Sequence, residues 1–306
     1  MRRWPIGLAV WLLVLAGAEV AAVVAVCHFF VQSRHGQLLD ALALNGNRIG
    51  QSQVEGPVDT ILNTMSVLSL AVATAVVGFI ALIRRRIAVA VGAILLIVGA
   101  NVMTQVLKQI IYRPELGVDL ERAAAGNSLP SGHTTIAASI AVAFMLVLPP
   151  RLRGVGAVLG ALFAAAAGVA TLSAGWHRPS DAIAALLIVG AWACAIGLFI
   201  VIAQHPHGGV DYGPSNRLAV RLLAVTGLVL LAGAGLALVL TEQVLSTPPD
   251  ELSGYRLLTA YAGGAMGIAG TAGVVLATVL ATVHRVVPRV VPSAVEATRE
   301  PVVLAS

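Results

Sequence analysis

Long apolar stretches alternate with short polar segments along this chain of 306 residues. Apolar stretches of about 20 residues are typical of helices that cross a bilayer. The pattern predicts eight spans, over residues 6–31, 60–83, 87–111, 132–149, 155–174, 181–203, 218–241 and 257–283. The first span is too long for the apolar region of a cleavable signal peptide, so we expect it to be retained. The predicted fold class is therefore all-α, a polytopic transmembrane helical bundle.

The polar segments between the predicted spans include one external segment and divide the chain into three regions. Residues 32–59 predict an external segment with a short surface helix around 36–44. The chain divides into a six-span core, two additional C-terminal spans and a cytoplasmic tail, over 1–216, 217–285 and 286–306. The last span contains a run of glycines, which favours close helix packing in lipid: Gly263, Gly264, Gly267, Gly270 and Gly273.

The composition agrees with a membrane protein and argues against a soluble one. Hydrophobic residues make up 58% of the chain and charged residues 11%, whereas soluble domains carry about 25% charge. The net charge of +5 suits basic loops facing anionic lipid, and we expect no nucleic-acid partner. Cys27 and Cys194 both fall in apolar runs and are expected to be packed side chains without a disulfide.

The distribution of arginine predicts the orientation in the membrane. With a cytoplasmic N-terminus, twelve of the 19 basic residues fall in cytoplasmic segments and seven in external ones. Basic residues accumulate on the cytoplasmic side of membrane proteins. We therefore expect a plasma-membrane protein with both termini in the cytoplasm.

Three polar stretches interrupt the apolar pattern at the predicted external ends of spans three to six. They cover residues 107–116, 127–135 and 174–181. One membrane face is therefore predicted to collect Lys108, Arg113, Ser131, His133, His177 and Asp181.

Lys108 is the only lysine in the chain and follows Asn101, Thr104 and Gln105 at helical spacing. This spacing predicts a polar stripe on span three that ends in an ammonium group. The alternative is an interfacial lysine whose side chain extends from the bilayer to water.

The stretch Pro-Ser-Gly-His predicts a helix start that can bind an anion. Pro130 suits a first helical turn and Ser128 a cap, and helix N-termini favour anions through free amides and the helix dipole. Gly132 lets an anion approach the backbone, Ser131 adds a hydroxyl donor and His133 a titratable ring. The alternative is a capped turn without chemistry.

His177 lies four residues before Asp181, and Pro179 predicts that a helix starts between them. A carboxylate fixes the tautomer of an imidazole and stabilises its positive charge, which leaves the other ring nitrogen as a nucleophile or base. The alternative is an ion pair with a structural role only.

Together these residues predict an anion site with acid–base capacity, and the natural ligand is a phosphoryl group. Zinc is the alternative for two histidines and an aspartate. The chain lacks H-E-x-x-H spacing, and the surrounding cations oppose a metal dication. We expect no metal and no cofactor.

These residues resemble the type 2 phosphatidic acid phosphatase superfamily of integral membrane lipid phosphatases. Its motifs are K-x6-R-P, P-S-G-H and S-R-x5-H-x3-D, and the resemblance covers residues 108–181 within the six-span core. The second motif is complete from Pro130 to His133, and the third is present as His177-x3-Asp181.

The resemblance implies a role for each matching residue. His177 would attack phosphorus and form a phosphohistidine, Asp181 would orient it, and His133 would protonate the leaving oxygen and then activate water. The phosphate oxygens would be held by Lys108, Arg113, Ser131 and the Gly132 amide.

Two departures from the family motifs leave one arginine missing. Arg113 comes five residues after Lys108 rather than seven, and Thr171 occupies the position of the third motif's arginine. We expect Arg178 or Arg122 to supply the absent charge to the phosphate.

The resulting hypothesis is a metal-independent phosphatase acting on a lipid phosphate or pyrophosphate at the outer leaflet. Its partners would be the bilayer and the lipid phosphate, either a polyprenyl carrier of cell-wall synthesis or a glycerophospholipid, with the polyprenyl carrier favoured by an external site. Two alternatives stay open: a lipid-linked phosphotransferase or headgroup transferase, and an inactive lipid-phosphate binding or transport protein.

Overall fold

A computed structural model describes residues 5–48, 51–63, 67–83, 86–118, 127–203, 209–211, 215–243, 245, 254–287 and 289–291. These residues form ten α-helices. They are α1 (Ile6–Val26), α2 (Arg34–Asn45), α3 (Gln51–Asn63), α4 (Val67–Ile83), α5 (Ile87–Ile110), α6 (Gly132–Val147), α7 (Arg153–Ser173), α8 (Pro179–Ala203), α9 (Arg217–Glu242) and α10 (Gly254–Val286).

Shorter elements extend or connect these helices. A π-helical turn, Cys27–Val31, continues α1, and a 3-10 turn, Gly46–Arg48, follows α2. Two three-residue strands, β1 (Gly209–Asp211) and β2 (Arg289–Val291), pair antiparallel. The predicted all-α helical bundle is confirmed.

The eight predicted spans correspond to α1 and to α4 through α10. Six helices in the described part of the chain are long and apolar enough to cross a membrane: Ile6–Val31, Ile87–Ile110, Arg153–Ser173, Pro179–Ala203, Arg217–Glu242 and Gly254–Val286. The other two, α4 and α6, are apolar but shorter, with 17 and 16 residues.

The segment between the first two predicted spans is more ordered than its polar composition indicates. Residues 60–63, which the prediction assigned to span two, lie in α3, and the described part of α4 begins at Val67. Val58 and Leu62, four residues apart, are buried against Ala170 and Ala174 at the end of α7. The predicted surface helix exists as α2, but most of its residues are buried.

The helix α8 lies at the centre of the bundle and packs against α1, α5, α6 and α10. The last helix, α10, contacts α2, α7, α8 and α9. Close packing of its glycines is confirmed, since a Cβ atom at Gly270 would lie 2.8 Å from the carbonyl oxygen of Gly227 on α9.

The predicted external segments converge at one end of the bundle. Gln32 donates to the Tyr112 carbonyl at 2.6 Å, and Asn47 donates to the Ser173 carbonyl at 3.2 Å. At the opposite end, Arg153 donates to the Val287 carbonyl at 3.4 Å. The segments predicted to share a membrane face are thus grouped together.

Candidate active site

The candidate site forms where the end of α5, the start of α6 and the connection from α7 to α8 meet. The Ser131 amide donates to the Asp181 carbonyl at 2.9 Å, which joins the Pro-Ser-Gly-His stretch to the first turn of α8. The structure therefore brings the second and third sequence motifs into direct contact.

The helix α6 begins where span four is predicted to begin, but its cap differs from the prediction. Ser131, not Ser128, is the N-cap, and the helix begins at Gly132, so Pro130 precedes the first turn. The Ser131 hydroxyl oxygen accepts hydrogen bonds from the Thr134 amide at 3.4 Å and the Thr134 hydroxyl at 3.0 Å. A capping serine accepts from an amide two or three residues further along the chain. Ser131 stands three residues before Thr134, whereas Ser128 stands six residues before it. The amides of Gly132 and His133 have no partner within the helix.

Lys108 lies over this helix start. A Cβ atom at Gly132 would stand 3.9 Å from Lys108 Nζ and 3.8 Å from Gln105 Nε2. The ammonium and the first amides of α6 therefore face the same small volume, and glycine keeps that volume open. This juxtaposition suits an anion.

The polar stripe below Lys108 connects two helices. Asn101 Nδ2 donates to Ser139 Oγ at 3.2 Å, and the hydroxyls of Thr104 and Thr135 lie 2.9 Å apart. These contacts join α5 to α6 and hold Lys108 above the start of α6.

The connection between α7 and α8 places His177 beside Asp181. Gly175, with a φ of 72°, adopts the left-handed conformation that ends many helices and that glycine accepts without a steric cost. The amides of Trp176 and His177 then donate to the Thr171 carbonyl at 3.0 and 3.2 Å. This turn brings His177 Nδ1 to 3.3 Å from Asp181 Oδ2.

Asp181 is oriented by three donors on one oxygen. Besides His177, the Ser128 hydroxyl donates to Oδ2 at 2.7 Å and the Arg178 amide at 3.0 Å. Asp181 is fully buried, and among the described residues Oδ1 has no hydrogen-bond partner. The carboxylate is therefore fixed towards His177, and the other nitrogen of that ring, Nε2, is the one left for chemistry.

His133 lies close enough to His177 and Lys108 to interact with both electrostatically. Its ring packs on the exposed Trp176, with ring centroids 5.5 Å apart. The sequence reasoning missed Trp176, although its position directly before His177 was a signal.

The three arginines expected to bind the phosphate differ in what the structure shows of them. Arg178 Nη1 donates to Ser128 Oγ at 3.2 Å, so Ser128 links this guanidinium to Asp181. Arg113 follows α5 and acts electrostatically on Asp40 of α2. Arg122 lies outside the described residues. Thr171, where the motif has arginine, is buried and donates to the Gly168 carbonyl at 2.8 Å.

Asp40 is a site residue that the sequence reasoning missed. Its Oδ1 accepts from the Ser180 amide at 3.2 Å and its Oδ2 from the Ser180 hydroxyl at 2.5 Å. Burial and the charge of Asp181 raise the pKa of Asp40 to about 6, against the lowering influence of Ser180, Arg178 and Arg113. An acidic residue in the apolar run LLDALAL was the available signal, because a buried carboxylate needs partners.

The donor set of the site combines acid–base groups with cations. Among the described residues, no group of three or more His, Cys, Asp or Glu side chains is arranged to hold a metal ion. Two imidazoles, a carboxylate, an ammonium and a helix start can bind an anion and transfer protons to and from it.

The comparison with protein families identifies this part of the chain. The family model of the PAP2 superfamily matches residues 89–205, which include all three polar stretches, all but the first two residues of α5, and the helices α6 to α8. This segment is similar to that superfamily, and the resemblance to type 2 phosphatidic acid phosphatases is confirmed over these residues. Superfamily members are typically phosphatases, which supports a phosphoester hydrolase. No curated protein and no solved structure matches the chain.

Proposed function

We propose that this protein is a metal-independent phosphatase that hydrolyses a lipid phosphate or pyrophosphate through a phosphohistidine on His177. The observation that carries the proposal is the 3.3 Å approach of Asp181 to His177 Nδ1, next to the start of α6 under Lys108. A nucleophile oriented by a carboxylate beside an anion site is the arrangement that phosphoryl transfer needs.

In the first step, His177 Nε2 attacks phosphorus. The new N–P bond forms as the bond from phosphorus to the leaving oxygen breaks, and His133 gives that oxygen its proton. Asp181 stabilises the positive charge on the His177 ring. Lys108, Arg113, the Ser131 hydroxyl proton and the Gly132 amide hold the phosphate oxygens.

In the second step, water attacks the phosphohistidine. His133, now without its proton, takes one from the water molecule as the O–P bond forms. The N–P bond breaks, inorganic phosphate leaves and His177 returns to its starting form. His133 therefore acts as acid and then as base, as the proton balance of the two steps requires.

The proposed substrate is a lipid because the site lies at the end of a bundle of membrane helices. A phosphate can enter from the aqueous side while its hydrocarbon tail remains in the bilayer. We propose an external site facing the outer leaflet, since the arginine distribution favours a cytoplasmic N-terminus. This side suits recycling of a polyprenyl carrier, which we favour over a glycerophospholipid.

The test is phosphate release by purified protein from a panel of lipid monophosphates and diphosphates, with EDTA present. We expect release by the wild type and a loss of about 10³-fold or more in kcat for His177→Ala. His28→Ala is the matched control, because His28 is an exposed histidine on the π-helical turn and should retain full activity. Denaturation during turnover of a labelled substrate should trap an acid-labile phosphoryl group on the His177 peptide.

Other outcomes would contradict specific parts of the proposal. No release from any lipid, or equal rates for His177→Ala and wild type, would exclude the mechanism. Loss of activity in EDTA would indicate a metal. Transfer of the group to an added sugar or lipid hydroxyl, in preference to water, would identify a phosphotransferase.

A further inference from the structure

A buried carboxylate outside the segment that matches the superfamily contacts the first turn of α8. Asp40 on α2 is 2% exposed, and both of its oxygens accept hydrogen bonds from Ser180, one from the amide and one from the hydroxyl. The superfamily match begins at residue 89, so this contact is a feature of the chain beyond the family motifs.

The turn that Asp40 contacts carries the groups that orient the nucleophile. Ser180 directly precedes Asp181, whose side chain lies against His177 and whose carbonyl accepts the Ser131 amide. A shift of this turn would therefore move the partner of His177 and the start of α6 together. Misplacement of a reacting group by about 1 Å can cost about 100-fold in rate.

The helix that carries Asp40 is fixed at several other points. Gln37 Nε2 donates to the carbonyls of Val31 at 2.8 Å and Pro114 at 3.0 Å. His35 Nε2 lies 2.7 Å from Glu242 Oε1 on α9. None of these contacts includes a residue of α8. They hold α2 in place, and Asp40 can therefore hold the first turn of α8 against it.

Burial of Asp40 is costly, which is a reason to expect a role. A buried carboxylate loses hydration unless partners compensate for it. The charged groups that act on it are Asp181 and Arg178 at the start of α8 and Arg113 after α5. Asp40 thus belongs to the electrostatic surroundings of the candidate site as well as to its hydrogen bonds.

We propose that Asp40 is a positioning residue that holds the first turn of α8 through Ser180 and thereby fixes Asp181 against His177. The effect on turnover rests on the proposed function. Asp40 contacts neither the phosphate nor the reacting nitrogen. Its loss is therefore expected to lower kcat and to leave KM nearly unchanged.

The kinetic test compares Asp40→Ala with Asp40→Asn in lipid phosphate hydrolysis. We expect Asp40→Ala to lower kcat about 10-fold or more, with KM within about 2-fold of wild type. Asp40→Asn should recover most of this loss, because its amide can accept from the Ser180 amide and donate to the Ser180 hydroxyl. The double variant Asp40→Ala/Ser180→Ala should be no slower than Asp40→Ala alone.

His35→Ala is the matched control. It removes another tether of α2, the contact with Glu242 on α9. Wild-type kcat and KM in this variant support the proposal. A loss equal to that of Asp40→Ala would attribute the effect to the general docking of α2 and would overturn it.

Hydrogen–deuterium exchange tests the contact without any enzymatic activity. Asp40→Ala should accelerate exchange in the peptide that contains Ser180 and Asp181, whereas His35→Ala should not. Unchanged exchange overturns the proposal, as does unchanged kcat in a variant whose exchange has risen. If the wild type releases no phosphate from any lipid, the proposed function fails, and exchange still decides whether Asp40 holds the turn.

Discussion

At the scale of single residues, Asp181 is the most constrained group of the site. Three donors converge on Oδ2, from His177, Ser128 and Arg178. The carboxylate is thereby fixed in one orientation before a substrate binds. Such preorganisation is what makes an electrostatic contribution to catalysis effective.

Replacing Asp181 by asparagine tests this constraint. The asparagine carbonyl can take the position of Oδ2, but its amide then occupies the buried position of Oδ1 and the charge opposite His177 is lost. We expect kcat to fall by about 10²- to 10⁴-fold in steady-state assays, with KM within about 3-fold. Asp59→Asn, on the exposed side of α3, should match wild type. A fall in kcat of less than about 3-fold for Asp181→Asn would contradict the role of the carboxylate.

Arg178 acts on the same carboxylate through Ser128. Its Nη1 donates to the serine hydroxyl, which donates in turn to Asp181 Oδ2. We expect Arg178, on the same face as the other site residues, to contact the phosphate, and its hydrogen bond to Ser128 gives it an indirect path to Asp181 as well.

Single and double variants of Arg178 and Ser128 distinguish these roles. We expect Arg178→Ala and Ser128→Ala each to lower kcat by about 3- to 30-fold, and the double variant to lower it by less than the product of the two. The measurement is a double-mutant cycle on kcat, with Arg151→Ala at the opposite end of the bundle as the control. A rise in KM for Arg178→Ala, with Ser128→Ala at wild-type kcat, would instead identify a direct phosphate contact.

At the scale of helices, hydrophobicity predicted the spans well and the external segment poorly. The eight apolar runs became α1 and α4 to α10, because the apolar length of a span is a property of the local sequence. By contrast, α3 was missed and α2 was placed on the surface. Their burial depends on α7 and α10, which lie far away in sequence, and hydrophobicity along the chain does not report such contacts.

In the candidate site too, contacts between residues near in sequence were predicted and contacts between distant residues were not. The pairing of His177 with Asp181 follows from a spacing of four residues and was predicted. The contacts of Asp40 with Ser180 and of Ser128 with Asp181 span 140 and 53 residues, and no spacing rule applies to them. The Ser131 cap was assigned to Ser128, because serine occurs at both positions and only the backbone geometry distinguishes them.

The contact between α9 and α10 depends on glycine at Gly270. A Cβ atom there would lie 2.8 Å from the Gly227 carbonyl oxygen and 3.0 Å from the Leu231 amide nitrogen. These are backbone atoms that cannot rotate away. We expect Gly270→Ala to lower the free energy of unfolding by about 1–3 kcal/mol, measured by denaturation in detergent. Gly235→Ala is the control, because beyond its own helix backbone no atom of the described residues lies within 4 Å of its Cβ position. An unchanged stability of Gly270→Ala would contradict this packing.

At the scale of the whole molecule, the buried charge of Asp40 links stability to pH. Burial raises the pKa of Asp40 from its ordinary value of 3.8 to about 6 in the folded protein. The folded state then binds more protons than the unfolded state between these values. The contribution of Asp40 to stability is therefore largest at low pH and is lost as the pH rises through 6.

Asp40→Asn removes this titration while keeping the shape of the side chain. We expect the stability of Asp40→Asn relative to wild type to be greater at about pH 7.5 than at about pH 4.5. The pKa change sets an upper limit of about 3 kcal/mol on this difference. The measurement is denaturation of both proteins across this pH range, and the exposed Asp59→Asn provides the reference. A stability difference between Asp40→Asn and wild type that is independent of pH would contradict a buried, titrating carboxylate.

The side of the membrane that the site faces is a property of the whole bundle, and two exposed positions report on it. Glu55 on α3 lies in the segment predicted to be external, and Arg151 lies in the connection between α6 and α7 at the opposite end. In a chain carrying Cys27→Ala and Cys194→Ala, we expect an impermeant thiol reagent to label Glu55→Cys in intact cells. Arg151→Cys should be labelled only after the membrane is opened. The reverse pattern would place His177 and Asp181 on the cytoplasmic side, where the chemistry of hydrolysis is unchanged but an outer-leaflet lipid phosphate is out of reach.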